Sequence, residues 1–183
     1  MYKMSKIALV TDSTCDLPEK VVIEKNITVI PLNVHFGEET FLDGIDLMPD
    51  AFFEKLSSSD IHPQTSQPSV GRFVETYNKL LKTHDSIISI HISGKLSATY
   101  SSALQAQKEI GNENIKVIDS MNGTLGLGAI VFHLATLNQS GETFENIFKE
   151  AEKIIPNANF MGLVPSLEYL AKGGRIGKAR EFI

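Results

Sequence analysis

The feature that most constrains this chain is an alternation of period along its length. Short runs rich in β-branched and other apolar residues recur at Ile7–Thr11, Ile27–Val34, Ser86–Ile92 and Ile115–Ile118, and segments of helical spacing lie between them. Parallel strands need a crossover connection and a helix is the usual one, so this order predicts a parallel sheet with helices on both faces. Ile7–Thr11 is apolar nearly throughout, as a strand covered on both sides must be. A further run, Asn159–Val164, predicts a fifth strand. The predicted fold class is α/β, a three-layer α/β/α arrangement.

The helices carry their own signals. Val70, Phe73, Val74, Tyr77, Leu80 and Leu81 fall on one face of a helix, and Ser69 before them suits the N-cap. Pro18 and Pro49 each open a helix, the second around Asp50–Leu56. A small-residue helix is expected from Ala98 to about Glu109 and an amphipathic one over Thr143–Ile155. Leu125–Leu137 is the longest apolar stretch, yet it contains His133 and falls short of the ~20 residues that span a bilayer, so it reads as a buried helix. Phe36–Asp46 is an acidic, Gly-containing stretch, and Ile61–Ser69 reads as a polar loop.

With 183 residues, 42% hydrophobic and 21% charged, the chain has the composition of a globular protein with one full domain. That domain is expected over residues 1–158. Residues 159–183 then hold a linking strand and the start of a second α/β domain: a short helix at Ser166–Ala171, then Gly173-Gly174-Arg175-Ile176-Gly177. Ending on Phe182-Ile183 without cap or turn, the chain reads as cut early. Seventeen basic against 22 acidic residues give a net charge of −5, which offers no footprint for a nucleic-acid backbone. A single cysteine, Cys15, suits a reducing compartment, and Met1–Lys6 lacks the apolar region of a signal peptide, so a cytoplasmic location is expected.

Several phosphate and nucleophile motifs fail on inspection. Gly94-Lys95 is followed by Leu96, where a P-loop requires Ser or Thr, and position 89 is Ser where its first Gly should stand. Gly126-Leu127-Gly128 lacks the third Gly of a dinucleotide fingerprint and sits in the apolar helix, where small residues serve close packing. No two of His35, His62, His84, His91 and His133 are spaced to ligate metal from one helix face, so no metal is expected. Asp12, in Asp12-Ser13-Thr14-Cys15-Asp16 at the end of the first strand, admits two readings: an aspartyl nucleophile of a phosphatase or other hydrolase, or a turn and capping residue. His91 is either directed into a site or a hydrogen-bonded structural residue, and Cys15, with no base beside it in sequence, reads as a packed thiol.

Two hydroxyl-rich loops carry the remaining chemistry. Thr65-Ser66-Gln67-Pro68-Ser69 and Ser93-Gly94-Lys95-Leu96-Ser97 each precede a helix whose first amides lack internal partners, and such a place holds a carboxylate or phosphate. The same pattern is met by Ser69 and Ser97 acting only as caps, which the spacing alone favours.

Taken with Val10-Thr11-Asp12-Ser13-Thr14, Asp119-Ser120, Ala98-Thr99-Tyr100 and Gly173-Gly174-Arg175-Ile176, the two loops resemble the DegV family of bacterial fatty-acid-binding proteins over essentially the whole chain. The resemblance implies a long-chain fatty acid held between two domains, with its carboxylate on Thr65, Ser97 and Arg175 and with Ser66, Ser93 and Gly94 supporting the head-group loops. It implies a carrier with no catalytic residue and no cofactor besides the bound acid. The acid is presented to a separate kinase catalytic subunit that forms the acyl phosphate for lipid metabolism, with no integral membrane segment and at most transient membrane contact. Gly94 stands where the family often has Ser and Ala98 where it usually has Gly, and Cys15 replaces a small residue.

Overall fold

The structure is a computed structural model that describes residues 6–159, 161, 163 and 166–175. Its elements are β1 (Ile7–Asp12), α1 (Glu19–Glu24), β2 (Ile27–Ile30), β3 (Asn33–Phe36), β4 (Glu39–Leu42), α2 (Pro49–Ser58), β5 (Gln64–Ser66), α3 (Val70–Leu80), β6 (Ser86–His91), α4 (Thr99–Ile110), β7 (Ile115–Asp119), α5 (Thr124–Gln139), α6 (Phe144–Ile154) and α7 (Glu168–Lys172). Strands β2, β1, β6 and β7 lie side by side in that order, every neighbouring pair parallel, as the alternation of period requires.

Alternate residues of β1 feed two different cores. Ile7 and Leu9 pack with Leu127, Val131 and Leu134 of α5 and Ile147 and Ala151 of α6. Ala8 and Val10 pack on the opposite face with Phe73 and Tyr77 of α3 and Ala103 and Ala106 of α4. This side-to-side alternation, with both sides apolar, is why the strand shows no hydrophobic period in sequence. Ser69 caps α3 as its position predicts, accepting a hydrogen bond from the Arg72 amide at 3.2 Å. Among the described residues no helix is long and apolar enough to cross a membrane, and α5 has 16 residues.

Two strand expectations need correction. The run Ile27–Val34 is two strands, because Pro31 has no amide to give a ladder; pairing with β1 ends at Asp12↔Ile30. The chain then enters a separate antiparallel sheet of order β4-β3-β5, which makes strands of part of the acidic stretch and of part of the expected Ile61–Ser69 loop. Gly37, at φ +61°, and Glu38 form the two-residue turn between Phe36 and Glu39, a hairpin signal present in the sequence. Phe36, Val34 and Leu47 form its small core, against which Phe41 and Phe52 pack. Of the fifth strand predicted at Asn159–Val164, Asn159, Met161 and Leu163 are not in a strand, and the remaining residues lie outside those described. Met161 and Leu163 are 92% and 102% exposed, without the neighbour a buried strand needs.

The small residues of α5 act through packing, as their place in an apolar helix suggests. A Cβ at Gly128 would lie 2.3 Å from the Cys15 carbonyl oxygen, so only glycine lets α5 approach the turn after β1 this closely. Gly128→Ala should therefore lower the urea midpoint by an amount equivalent to about 1–3 kcal/mol. Gly71→Ala, on the exposed side of α3, meets nothing nearer than Ser69 Oγ at 4.0 Å and should instead raise it by about 0.5–1 kcal/mol.

Candidate functional site

From β1 the chain passes to β2 on one side of the sheet, and from β6 it passes to β7 on the other. The loops leaving the C-terminal ends of β1 and β6 therefore part, and a crevice at such a switch point is where open parallel sheets place ligands. The Asp12–Asp16 turn and the Ser93–Ser97 loop stand there.

Asp12 fastens the two strand ends together. Its Oδ2 accepts from the Ile92 amide and from His91 Nδ1, both at 3.0 Å, while its Oδ1 accepts from the amide and the hydroxyl of Thr14. Beyond His91 the chain of bonds continues to Ser89 Oγ and on to the Tyr77 hydroxyl of α3, each 2.7 Å long. Asp12, His91 and Ser89 thus have the order of an acyl-transfer triad, but all three are 0% exposed and Tyr77 covers the serine. No substrate reaches either Asp12 or Ser89, so the hydrolase reading of Asp12 gives way to the turn reading. His91 is a structural histidine, its ring set edge-on to Phe73 at 5.1 Å. Cys15 is buried, and desolvation, helped by Asp12 and Asp16, pushes its thiol up to about 11, which leaves it unreactive at neutral pH.

The first hydroxyl loop is held by the small sheet. Thr65 pairs with Val34 across the β3–β5 ladder and is exposed. Ser66 is committed to structure: its Oγ bonds to His35 Nε2 at 2.8 Å and accepts from Asn33 Nδ2 at 3.2 Å. Thr65 lines a pocket of about 400 Å³ with His62, Pro63, Gln64, Lys172, Gly173, Gly174 and Arg175. Arg175 also reaches the second loop, donating from Nε to the Leu96 carbonyl at 3.4 Å. It is the one side chain of the predicted set that touches both regions.

The second loop has used all five of its own amides. Ser93 N donates to the Asn122 carbonyl, Gly94 N to Asp119 Oδ2, Lys95 N to Ser93 Oγ, and Leu96 N and Ser97 N to the Ser93 carbonyl. Ser93 is buried and its hydroxyl faces its own loop, so it shapes the loop and presents nothing outward. Gly94 is exposed, and a Cβ there would meet Asp119 Oδ2 at 2.9 Å. A serine at 94 would thus need the Asp119 carboxylate to move. Ser97 is half-buried and hydrogen-bonded to Thr99, whose amide donates to its Oγ at 3.3 Å. Ala98, the N-cap of α4, makes no side-chain cap bond, so any amide dipole offered to an anion comes from the first turn of α4.

The sequence marks no site at Lys172 or Asn122, marks Asp119 only within Asp119-Ser120, and offers His62 only as one of the histidines that do not pair for metal. Lys172 carries a signal in retrospect, as a basic residue in the last turn of α7, four residues after Glu168, to which it pairs at 2.6 Å. Asn122 joins β7 to the rest of the site: its carbonyl holds Ser93, and its Nδ2 donates to the carbonyls of Ser120 and Ala158.

Sequence profiles decide the family, for that of the uncharacterised DegV family matches residues 6–183. The chain belongs to the DegV family. A DegV domain-containing protein of Clostridium perfringens is 40% identical over 177 residues, which are 97% of this chain and 63% of that protein. The crystal structure of DegV from Bacillus subtilis, a fatty acid binding protein, matches with a TM-score of 0.88 at 35% identity, over 97% of this chain and 64% of that one. A DegV family protein from Thermus thermophilus, solved for its fatty acid binding, matches with a TM-score of 0.84, also at 35% identity and over 97% and 63% of the two chains. This DegV chain therefore spans a little under two thirds of the length of these relatives.

Burial alone would raise the Asp12 carboxyl, but His91, Thr14 and the Ile92 amide together hold it below the ordinary aspartate range. A depressed folded-state value contributes stability that is fully present above the unfolded aspartate value of about 3.9 and is lost as pH falls through the folded one. Thermal unfolding should show this loss on acidification from pH 5 downward. Asp12→Asn should be destabilised at neutral pH by about 3–5 kcal/mol and show a flatter dependence over that range.

Proposed function

We propose that this DegV chain binds a long-chain fatty acid, orients its carboxylate with Thr65, Ser97 and Arg175, and serves as a carrier. The observation that carries this reading is Arg175, which lines one pocket with Thr65 and also contacts the loop of Ser97 through Leu96. The fatty acid binding of the Bacillus subtilis and Thermus thermophilus relatives supports the choice of ligand. In this reading residues 1–158 form the first domain of the carrier and residues 159–183 lead into the second, in the cytoplasm.

The chemistry of the site suits a carboxylate. Thr65 offers an exposed hydroxyl and Arg175 a permanent charge, while the charge of the neighbouring Lys172 is shared with Glu168. A buried carboxylate without such partners would be costly. Exposed apolar side chains stand near the pocket in sequence, Ile61 before His62 and Leu167 ahead of Lys172, and they offer surface to a tail. Burying about fourteen methylenes at ~0.8 kcal/mol each gives a gross gain of roughly 11 kcal/mol before the entropy of association is charged. The tail therefore supplies most of the affinity, and the hydroxyls fix which end of the ligand faces outward.

A carrier of this kind needs a partner to activate the acid, and we assign that step to a separate kinase subunit that phosphorylates the presented carboxylate with ATP. Asp12 and Ser89, the groups closest to a catalytic arrangement among the described residues, are both fully buried. Neither nucleic acid nor an integral membrane contact enters this scheme, and contact with a membrane is limited to exchange of the acid.

Organic extraction and mass spectrometry of the purified 183-residue chain, beside the full-length Bacillus subtilis relative as a control, should release fatty acid from both. Added oleate should bind, and Ser97→Ala should weaken it by about 1–3 kcal/mol. Lipid in the control alone, together with no uptake of oleate by this chain, would refute binding by these residues.

A further inference from the structure

Among the described residues the hydroxyl of Thr99 has a single hydrogen-bond partner, Ser97 Oγ at 2.9 Å, and Thr99 is 0% exposed. Either oxygen could donate across that contact, but the two choices differ in what they leave behind. If Ser97 donates, the Thr99 proton is buried with no acceptor, a state native structures avoid. If Thr99 donates, its buried proton is satisfied and the unpaired proton is instead that of the half-buried Ser97. Ser97 Oγ then accepts twice from the same residue, from the Thr99 hydroxyl and from the Thr99 amide at 3.3 Å. A serine hydroxyl has two lone pairs and one proton. With both lone pairs engaged by Thr99, the Ser97 proton is its only free valence, on a residue that is half-buried and not sealed off.

We infer that Thr99 is a positioning residue that fixes Ser97 as an outward hydrogen-bond donor, so that the second loop selects head groups able to accept. This rests on the proposed fatty-acid reading and deepens it. A carboxylate meets the requirement fully, whereas a group that must donate finds no acceptor on Ser97. The loop geometry points the same way, because the amides of Ser93 through Ser97 are all already bonded within the protein. Apart from the first-turn amides of α4, the donor this loop keeps for a head group is therefore one hydroxyl, and that hydroxyl depends on Thr99.

The test has one arm that needs no ligand. Long-range NMR detection of slowly exchanging hydroxyl protons in the unliganded 183-residue chain should find the Thr99 hydroxyl proton protected, with a contact to Ser97, and the Ser97 hydroxyl proton exchanging freely. A protected Ser97 proton directed at Thr99 would overturn the inference. In the second arm, oleate and oleyl alcohol are titrated into wild type, Thr99→Val and Thr99→Ser. The alcohol both donates and accepts, so it is indifferent to how Ser97 is turned. Thr99→Val should weaken oleate about five- to tenfold while leaving the alcohol unchanged, and Thr99→Ser should restore the acid. Unaltered oleate affinity in Thr99→Val, or equal losses for both ligands, would overturn the inference. No uptake of oleate by wild type would instead defeat the fatty-acid reading, while the hydroxyl measurement would still decide the role of Thr99.

Discussion

The carboxylate of Asp12 is the contact on which the rest of the site depends. Strands β1 and β6 are joined by backbone ladder only as far as Val10↔Ser89, and beyond that point their loops separate. Asp12 continues the connection by side chain, taking the Ile92 amide and the His91 ring from the other strand. A charge in so dry a place is tolerable because four donors converge on it. The bonds then pass through Ser89 to Tyr77, so one buried network ties two strand ends to the middle of α3. The N-terminus of α3 carries the Thr65–Ser69 loop and the end of β6 carries the Ser93–Ser97 loop. The network thus sets both loops against one rigid frame.

Around that frame the polar residues divide into those that hold loops and those that face outward. Ser66 and Ser93 hold, through Asn33 and His35 in one case and through Lys95 and their own loop in the other. Thr65, Ser97 and Arg175 retain groups that can meet a ligand. The loop after β7 supports the second set, because Asp119 takes the Gly94 amide and Asn122 takes that of Ser93. Backbone strain accompanies this support: Met121 and Thr124 adopt φ of +54° and +46°, a region that a β-branched threonine rarely enters. Such conformations cost about 1–3 kcal/mol each and persist where the surroundings over-determine them.

Much of this was legible in the sequence, and the limits have physical causes. The spacing of Val70 to Leu81 with Ser69 ahead of it specifies α3, since period and cap are both local. The parallel sheet follows from the alternation of strand-like and helical segments. The small antiparallel sheet is not legible in the sequence because Pro31 divides an apolar run without removing its β character, and the Gly37-Glu38 turn lies in an acidic stretch with little apolar alternation. For the site, residue types mark both loops as anion-capable, but which hydroxyl turns inward depends on partners distant in the chain. Asp12 and His91 lie 79 residues apart, and nothing local relates them. The family resemblance identified the residues of interest, while the hydrogen bonds distinguish loop-holding Ser66 and Ser93 from outward-facing Thr65.

A tail that supplies affinity and a polar end that supplies orientation make separable demands, and the head-group geometry is the more specific claim. It is tested most directly with oleic acid labelled with carbon-13 at the carboxyl group, observed by NMR when bound to wild type and to Thr65→Val, Ser97→Ala and Arg175→Lys. One sharp bound resonance, displaced in each variant and still ionised at pH values where free fatty acid is protonated, is the expected result. A bound carboxyl resonance that none of the three substitutions moves would contradict the assignment of the head group to these residues.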